Sequence, residues 1–578
     1  MPLAILMQLP YNAAFGGGER FNTVNLKGYT IENVVEEKFC NQGERTYCPI
    51  PFFFTDTGFG LFADTGKVTR FEFGEDILVT LPPHTPLFVF SGSPQGILQA
   101  YISLLNTPQL PPDWVFLPWV SANRWNSQKR VEEQLQLLEE NDFPAGVIVL
   151  EAWSDEATFY IWNGAEYVPN QEGNFDYSDF SFDNSPWPEP LKMIDRIHKA
   201  GLHLLLWQVP VYKKIPPSEP PNEQNALDRQ QAVSEKLCVM NSDGSPYVIP
   251  DNRWFSGSEV PDFTNPKTLD AWFSRRKYLL KMGIDGFKTD GGEFIYGDSA
   301  LFSDGSDAAE MKNRYPQLYT QSYTDFLPEN TALFSRAGYS GAHATPILWA
   351  GDQCSTFEEL RAQLRAGLSS AMSGIIFWGF DIGGFSGELP TPELYLRATQ
   401  LACFCPIMQW HSEPEGGQFR EIRETYLANN ERSPWNIARF SDDPEYLNKI
   451  RFYHKLRVKL QPYIRKQARL ATTQHHPLIY PLAYRYRLDT HTHSIEDQFM
   501  LGEKYLVCPI LWESTTTRTI YLPEGNWHSC LNTTTNSFDF TPNNTNYATF
   551  TGNQTIEVSS GWHIPVFERL KQGGEQIT

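Results

Sequence analysis

Hydrophobic and polar positions change rhythm twice along the 578 residues. Up to about residue 110 the apolar runs are short and broken by Gly and Pro. Phe52 to Phe62 predicts a strand, a Gly turn and a second strand, and Lys67–Phe73 and Leu87–Phe90 predict more strands. No long helical pattern precedes Pro94, so residues 1–110 predict a β-sandwich. Pro111-Pro-Asp-Trp114 marks a boundary. Beyond it, continuous apolar runs alternate with segments of helical spacing. The runs are Val115–Val120, Gly146–Trp153, His203–Gln208, Ile284–Phe287, Ala332–Arg336, Pro346–Gly351, Gly374–Gly379 and Pro406–Gln409. Between them, sets such as Val131, Leu135 and Leu138, or Leu360, Leu364 and Leu368, predict helices. Apolar runs without alternation mean a parallel sheet covered on both sides. Eight of them over residues 111–465 predict a (β/α)8 barrel. An open doubly wound sheet would carry Gly-x-Gly-x-x-Gly after its first strand, and none is there. Near 209–262 the rhythm lapses into polar, Pro-rich sequence, which predicts an excursion after the third strand on the side of the active-site loops. Residues 466–578 return to short strands and predict a second β-sandwich. The fold class is therefore α/β: a (β/α)8 barrel flanked by N-terminal and C-terminal β-sandwich domains.

Composition narrows the function. The formal charge of −21 argues against nucleic acid and anionic membranes as partners. No apolar run reaches membrane-spanning length, and the start lacks a basic stretch before its short apolar run, so a cytoplasmic chain is expected. Eight scattered cysteines predict free buried thiols in a reducing compartment. Asn532-Thr-Thr and Asn553-Gln-Thr match glycosylation acceptors, but in so Asn/Thr-rich a tail they carry little weight.

Candidate chemistry collects where the barrel strands end. Asp290 closes the fourth strand and is followed by Gly291 and Gly292. Glu293 follows three residues after Asp290, while Glu151, Asp155, Trp207, Arg336, Asp352, Asp381 and His411 fall at other strand ends, and such ends converge on one face of a barrel. The set allows a glycosidase pair of carboxylates, a metal site of Asp, Glu and His, or a barrel that only binds. The metal reading lacks a dense ligand cluster, and the best local pair, His491 and His493, lies in the tail domain.

Seven segments, in order, resemble glycoside hydrolase family 31. They are Gly16-Gly-Gly-Glu-Arg-Phe21, Val260-Pro-Asp-Phe-Thr-Asn-Pro266, Phe287-Lys-Thr-Asp-Gly-Gly-Glu293, Trp349-Ala-Gly-Asp352, Phe380-Asp-Ile-Gly-Gly-Phe385, Gln409-Trp-His-Ser412 and Asp497-Gln-Phe-Met-Leu-Gly502. The resemblance implies a retaining, exo-acting α-glycosidase without cofactor or metal, acting on an oligosaccharide or glycoside, and leaves room for a homo-oligomer. It implies Asp290 as nucleophile and Asp352 as acid/base. It implies sugar contacts from Trp207, Arg336, Asp381, His411, and Glu151 or Asp155, with Lys288 and Trp349 beside the two carboxylates. The expected activity is release of terminal α-linked glucose, with α-xylosidase, α-galactosidase and transglycosylation as alternatives. Gly291 and Ala152, both small, predict room for the hydroxymethyl group that separates glucose from xylose.

Overall fold

Val147–Leu150 is four consecutive aliphatic residues, all buried. A strand of this kind is stable only between two covering layers, and it lies within an eight-stranded parallel sheet, paired on both edges. In the computed structural model, which describes residues 2–105, 107–345, 347–413, 430–532, 537–538, 548–559 and 561–570, the barrel strands are β1 (Trp119–Ala122), β2 (Val147–Leu150), β3 (His203–Gln208), β4 (Gly286–Thr289), β5 (Ala332–Ser335), β6 (Ile347–Trp349), β7 (Trp378–Gly379) and β8 (Gln409–Ser412). They pair in sequence order, and β8 pairs with β1. The seam between β7 and β8 is drawn together by the parallel bridge of Asp381 and Gln409 and by the Ile407 amide on the Trp378 carbonyl. Pro346, expected to open the sixth strand, and Thr533 and Thr534 of the first glycosylation triplet lie outside the described residues.

Helices cover the barrel where the apolar spacing predicts them, at Gln128–Glu140 after β1, Pro190–Lys199 after β2 and Phe357–Ala371 after β6, and also at Ala308–Phe326 after β4, where the spacing marks none. Ser127, Asp307 and Thr356 cap three of these with side-chain oxygens on backbone N–H groups. The expected boundary at 465 falls inside a helix that runs from Tyr446 to Gln474. Its inner face continues through Ile464, Ala468 and Ala471, so burial carries the helix past that point.

Before the barrel, two four-stranded antiparallel sheets form the N-terminal domain. The Gly16–Phe21 segment docks this domain on the barrel. Ser369 and Ser373 donate to the Gly18 carbonyl, and the Trp378 indole donates to the Glu19 carboxylate at 2.8 Å. Glu19 is buried there, and burial pushes its carboxyl up to about 8. The C-terminal domain is built on a six-stranded sheet. Among the described residues no helix is long and apolar enough to cross a membrane.

The expectation of free thiols holds for six cysteines, all buried, and fails for two. Cys40 and Cys354 form a disulfide across 314 residues of sequence. Nothing in their spacing signals this, because the N-terminal domain and the loop after β6 meet only in the folded chain.

Candidate active site

Side chains two apart on a strand share a face. Lys288 and Asp290 therefore both point into the mouth of the barrel, while Phe287 packs outward on Tyr323. The mouth is a cavity of about 670 Å³. Its wall includes Glu151, Trp207, Lys288, Asp290, Arg336, Trp349, Asp352, Asp381 and His411, nine of the ten expected residues.

Three donors converge on Asp290. The Trp207 indole donates to one oxygen at 3.0 Å, and the Gly291 amide to the other at 2.8 Å. Arg336 Nη1 lies 3.2 Å from Asp290 Oδ1, and the same nitrogen lies 3.3 Å from Asp352 Oδ2. Two legs of that length from one atom hold the two oxygens within about 6.5 Å of each other. Arg336 is itself fixed by a two-pronged ion pair with buried Glu293, at 3.2 and 3.1 Å, and its guanidinium lies over the Tyr47 and Trp254 rings. Glu293 thus serves the arginine.

Of the donors around Asp290, only Arg336 also reaches Asp352. Burial is the main cause that lifts its carboxyl from 3.8 to about 7. The nearby Arg336 opposes the rise and Asp290 adds to it. Two carboxyl groups bridged by one cation thus occupy different environments, the condition for dividing acid and nucleophile roles.

Around them, Lys288 donates to Glu151 at 2.6 Å and lies 4.5 Å from the centre of the Trp349 ring. Burial lifts Glu151 to about 7 against the pull of Lys288. Burial alone would lower the Lys288 ammonium, but Glu151, Asp381 and Asp290 together raise it. His411 is buried, and burial, Lys288 and Arg432 hold its pKa well below the usual value, so the ring is neutral. Its Nε2 faces the Asn123 amide oxygen at 2.5 Å and its Nδ1 the Ser121 hydroxyl at 2.7 Å. As assigned, that places the proton on Nε2. Gln409 donates to Asp381 at 2.6 Å.

Asp155 is the residue the fold takes elsewhere. Its oxygens accept from the Ala157 and Thr158 amides, the Thr158 hydroxyl and the Asn222 amide group, and it is not among the residues lining the cavity. It holds the turn after β2. The space expected beside Gly291 is also occupied. Gly291 has φ +71°, and a Cβ there would meet the Phe294 ring at 2.8 Å and Trp254 at 3.3 Å. Ala152 does line the cavity.

Sequence reasoning did not find Glu37 and Phe39 from the N-terminal domain, or Lys213, Lys214, Glu219 and Trp254 from the excursion after β3, which reach the same cavity. Phe39 and Trp254 are 55% and 39% exposed, unusual for large aromatic residues, and that exposure is visible only in the folded chain. His491 and His493 do not meet: His491 stacks on Tyr521, and His493 bonds the Arg487 carbonyl. Among the described residues no three His, Cys, Asp or Glu side chains group to hold a metal ion.

Comparison with known proteins follows the same architecture. Residues 108–467 match the glycosyl hydrolases family 31 TIM-barrel domain, residues 475–572 the family's C-terminal domain, and residues 6–72 its N-terminal galactose mutarotase-like domain. The chain belongs to glycosyl hydrolase family 31. Within family 31 it is 36% identical to an isomaltosyltransferase of Sporosarcina globispora, over 89% of this chain and 48% of that protein. It is 35% identical to a 1,3-alpha-isomaltosidase of Kribbella flavida, over 89% of this chain and 71% of that one. The solved cycloalternan-degrading enzyme from Trueperella pyogenes, in complex with covalent intermediate, superposes with a TM-score of 0.90 at 32% identity, covering 99% of this chain and 78% of that one. The chain thus spans about half the length of the isomaltosyltransferase it matches.

Proposed function

We propose that the protein is a retaining α-glycosidase of family 31 that takes an isomaltosyl unit as donor and passes it to water or to a sugar hydroxyl. The observation that carries the reading is the pair of carboxylates shared by Arg336 Nη1, one met by three donors and the other lifted to about 7. In the first step Asp290 attacks the anomeric carbon as Asp352 protonates the departing oxygen. In the second, Asp352 as carboxylate takes a proton from the acceptor, which displaces Asp290. A separation within about 6.5 Å suits direct attack rather than a water held between the carboxylates. The negative charge of Asp290 faces the oxocarbenium-like carbon in both steps. Neutral His411, Asp381 and the Lys288–Glu151 pair supply donors and acceptors for hydroxyls of the reacting sugar.

Two observations favour a two-sugar donor over terminal glucose alone. Relatives named for isomaltosyl chemistry match over nearly nine-tenths of the chain. The cavity also reaches beyond Ala152 to Glu156, Phe159, Lys213 and Glu219, which gives a second ring somewhere to lie. The test is mass spectrometry of Asp352→Ala mixed with α-isomaltosyl fluoride and, separately, α-glucosyl fluoride. Slow turnover of the covalent enzyme should leave a mass gain of two hexosyl residues on a peptide containing Asp290. A gain of one hexose, with isomaltosyl fluoride untouched, would return the reading to a simple α-glucosidase. A gain on neither donor, with no adduct at Asp290, would remove the nucleophile assignment.

A further inference from the structure

The loop that carries Asp352 is held from outside the barrel. Residues 37–41 of the N-terminal domain lie across it. The Cys40 amide donates to the carbonyl of Asp352 itself at 2.9 Å, and Cys40 is bonded through sulfur to Cys354, two residues further on. Cys40 and Asn41 have φ of 58° and 48°. Two successive non-glycine residues in the left-handed region persist only where surrounding structure holds them there. On its other side the loop is bound to the segment after β7, because the Phe385 and Ser386 amides both donate to the Gln353 carbonyl. Phe39, next to Cys40, meets Phe385 edge-on at 6.2 Å, and both line the cavity. Neither sulfur touches the reacting groups, and nothing in the two-step chemistry uses them.

We propose that the Cys40–Cys354 disulfide is a positioning clamp: it presses the 37–41 strap onto the Asp352 loop and so fixes where the proton donor stands relative to Asp290. The inference rests on Asp352 being the acid/base. Cys40 and Cys354 are positioning residues, acting through the backbone of Asp352. Cutting the bridge leaves the fold, Asp290 and Arg336 in place and loosens the donor alone.

The test compares one glycone on two leaving groups, the fluoride and a sugar, in wild type, Cys40→Ser, Cys354→Ser and the double variant. Only the sugar leaving group needs a proton. Displacing a catalytic group by about 1 Å costs on the order of 10²-fold, so kcat/KM on the sugar-linked substrate should fall ten- to a hundredfold. On the fluoride it should stay within about threefold. Should the variants fold poorly, dithiothreitol on folded wild type gives the same cut. It delivers two electrons and two protons to the S–S bond and leaves as its cyclic disulfide, while Cys40 and Cys354 become thiols. The fluoride-to-sugar ratio should rise on reduction and return on reoxidation with glutathione disulfide. A thiol titration of never-reduced, denatured protein should find six of the eight cysteines free. Eight free thiols, an unchanged ratio, or equal loss on both substrates would each overturn the clamp. Asp352→Ala run alongside separates the two claims. If it shows the substrate-dependent loss and the cysteine variants do not, the clamp alone falls. If Asp352→Ala itself loses equally on both, the acid/base assignment falls first.

Discussion

Asp352→Asn should make the protein more stable in neutral buffer while disabling it. The carboxyl rises from 3.8 in the unfolded chain to about 7 in the fold, chiefly by burial. Holding a proton across about three pH units at 1.36 kcal/mol each corresponds to about 4 kcal/mol between the neutral and ionised forms. The attraction of Arg336 is already inside that balance, as are Asp290, Lys288 and Asp381. The side chain is 19% exposed, so water reduces the figure and 4 kcal/mol is an upper value. Because the folded pKa is the higher one, the folded state keeps a proton that the unfolded chain has released between pH 3.8 and about 7. Stability from this group is therefore present in full below the unfolded value and lost as pH rises through the folded one. Asparagine cannot ionise and escapes that loss. Its melting temperature should match wild type near pH 4, pull ahead through the window, and hold a lead of several degrees above pH 7. Calorimetry in matched buffers from pH 4 to 8 measures this. The barrel transition should be followed, since a three-domain chain need not unfold in one step. A difference that does not change with pH, or a less stable variant at pH 8, would refute the buried-acid account of Asp352.

Other consequences are direct. Asp290→Asn should cost several orders of magnitude in kcat with sugar binding retained, measured by calorimetric titration against isomaltose; activity within about tenfold of wild type would remove Asp290 from its role. Gly291→Ala should lower the melting temperature and depress activity on glucosides and xylosides alike, because the new Cβ strains a left-handed residue and displaces Phe294 and Trp254; selective loss on glucosides would restore Gly291 as a sugar selector. Exhaustive chelation should leave turnover unchanged, and recovery by an added divalent ion after a loss would favour a metal mechanism.

The barrel was legible because its strands are unbroken apolar runs, and most of the polar residues expected just past such runs do line the mouth. Asp290, Asp352 and Arg336 could be located on that ground, and nine of ten expected residues line one cavity. Asp155 misled because an Asp followed three residues later by Thr also makes a side-chain-to-backbone turn, and that use prevailed. Gly291 misled for a related reason: a small residue frees space only if no neighbour fills it, and Phe294 and Trp254 come from its own loop and a distant one. Phe39 and the Cys40–Cys354 bond were out of reach, since they depend on how one domain seats on another. The boundary placed at 465 falls within the helix from Tyr446 to Gln474, so the chain passes from the barrel to the last domain without a break that the sequence could mark.

The nitrogen shared by Asp290 and Asp352 has a consequence for the whole reaction cycle. In the proposed two-step mechanism, the negative charge of the pair starts on Asp290 and the proton on Asp352. Once the glycosyl ester forms, Asp290 is neutral and Asp352 holds the charge. Arg336 Nη1 lies 3.2 Å from one and 3.3 Å from the other, so the charge swaps sides of a fixed cation without changing its distance from it. The total charge of the Arg336, Glu293, Asp290 and Asp352 group is the same in both resting states. On that mechanism neither half of the cycle has to bring a new ion to the mouth of the barrel, and Glu293 keeps the pivot still while the charge crosses.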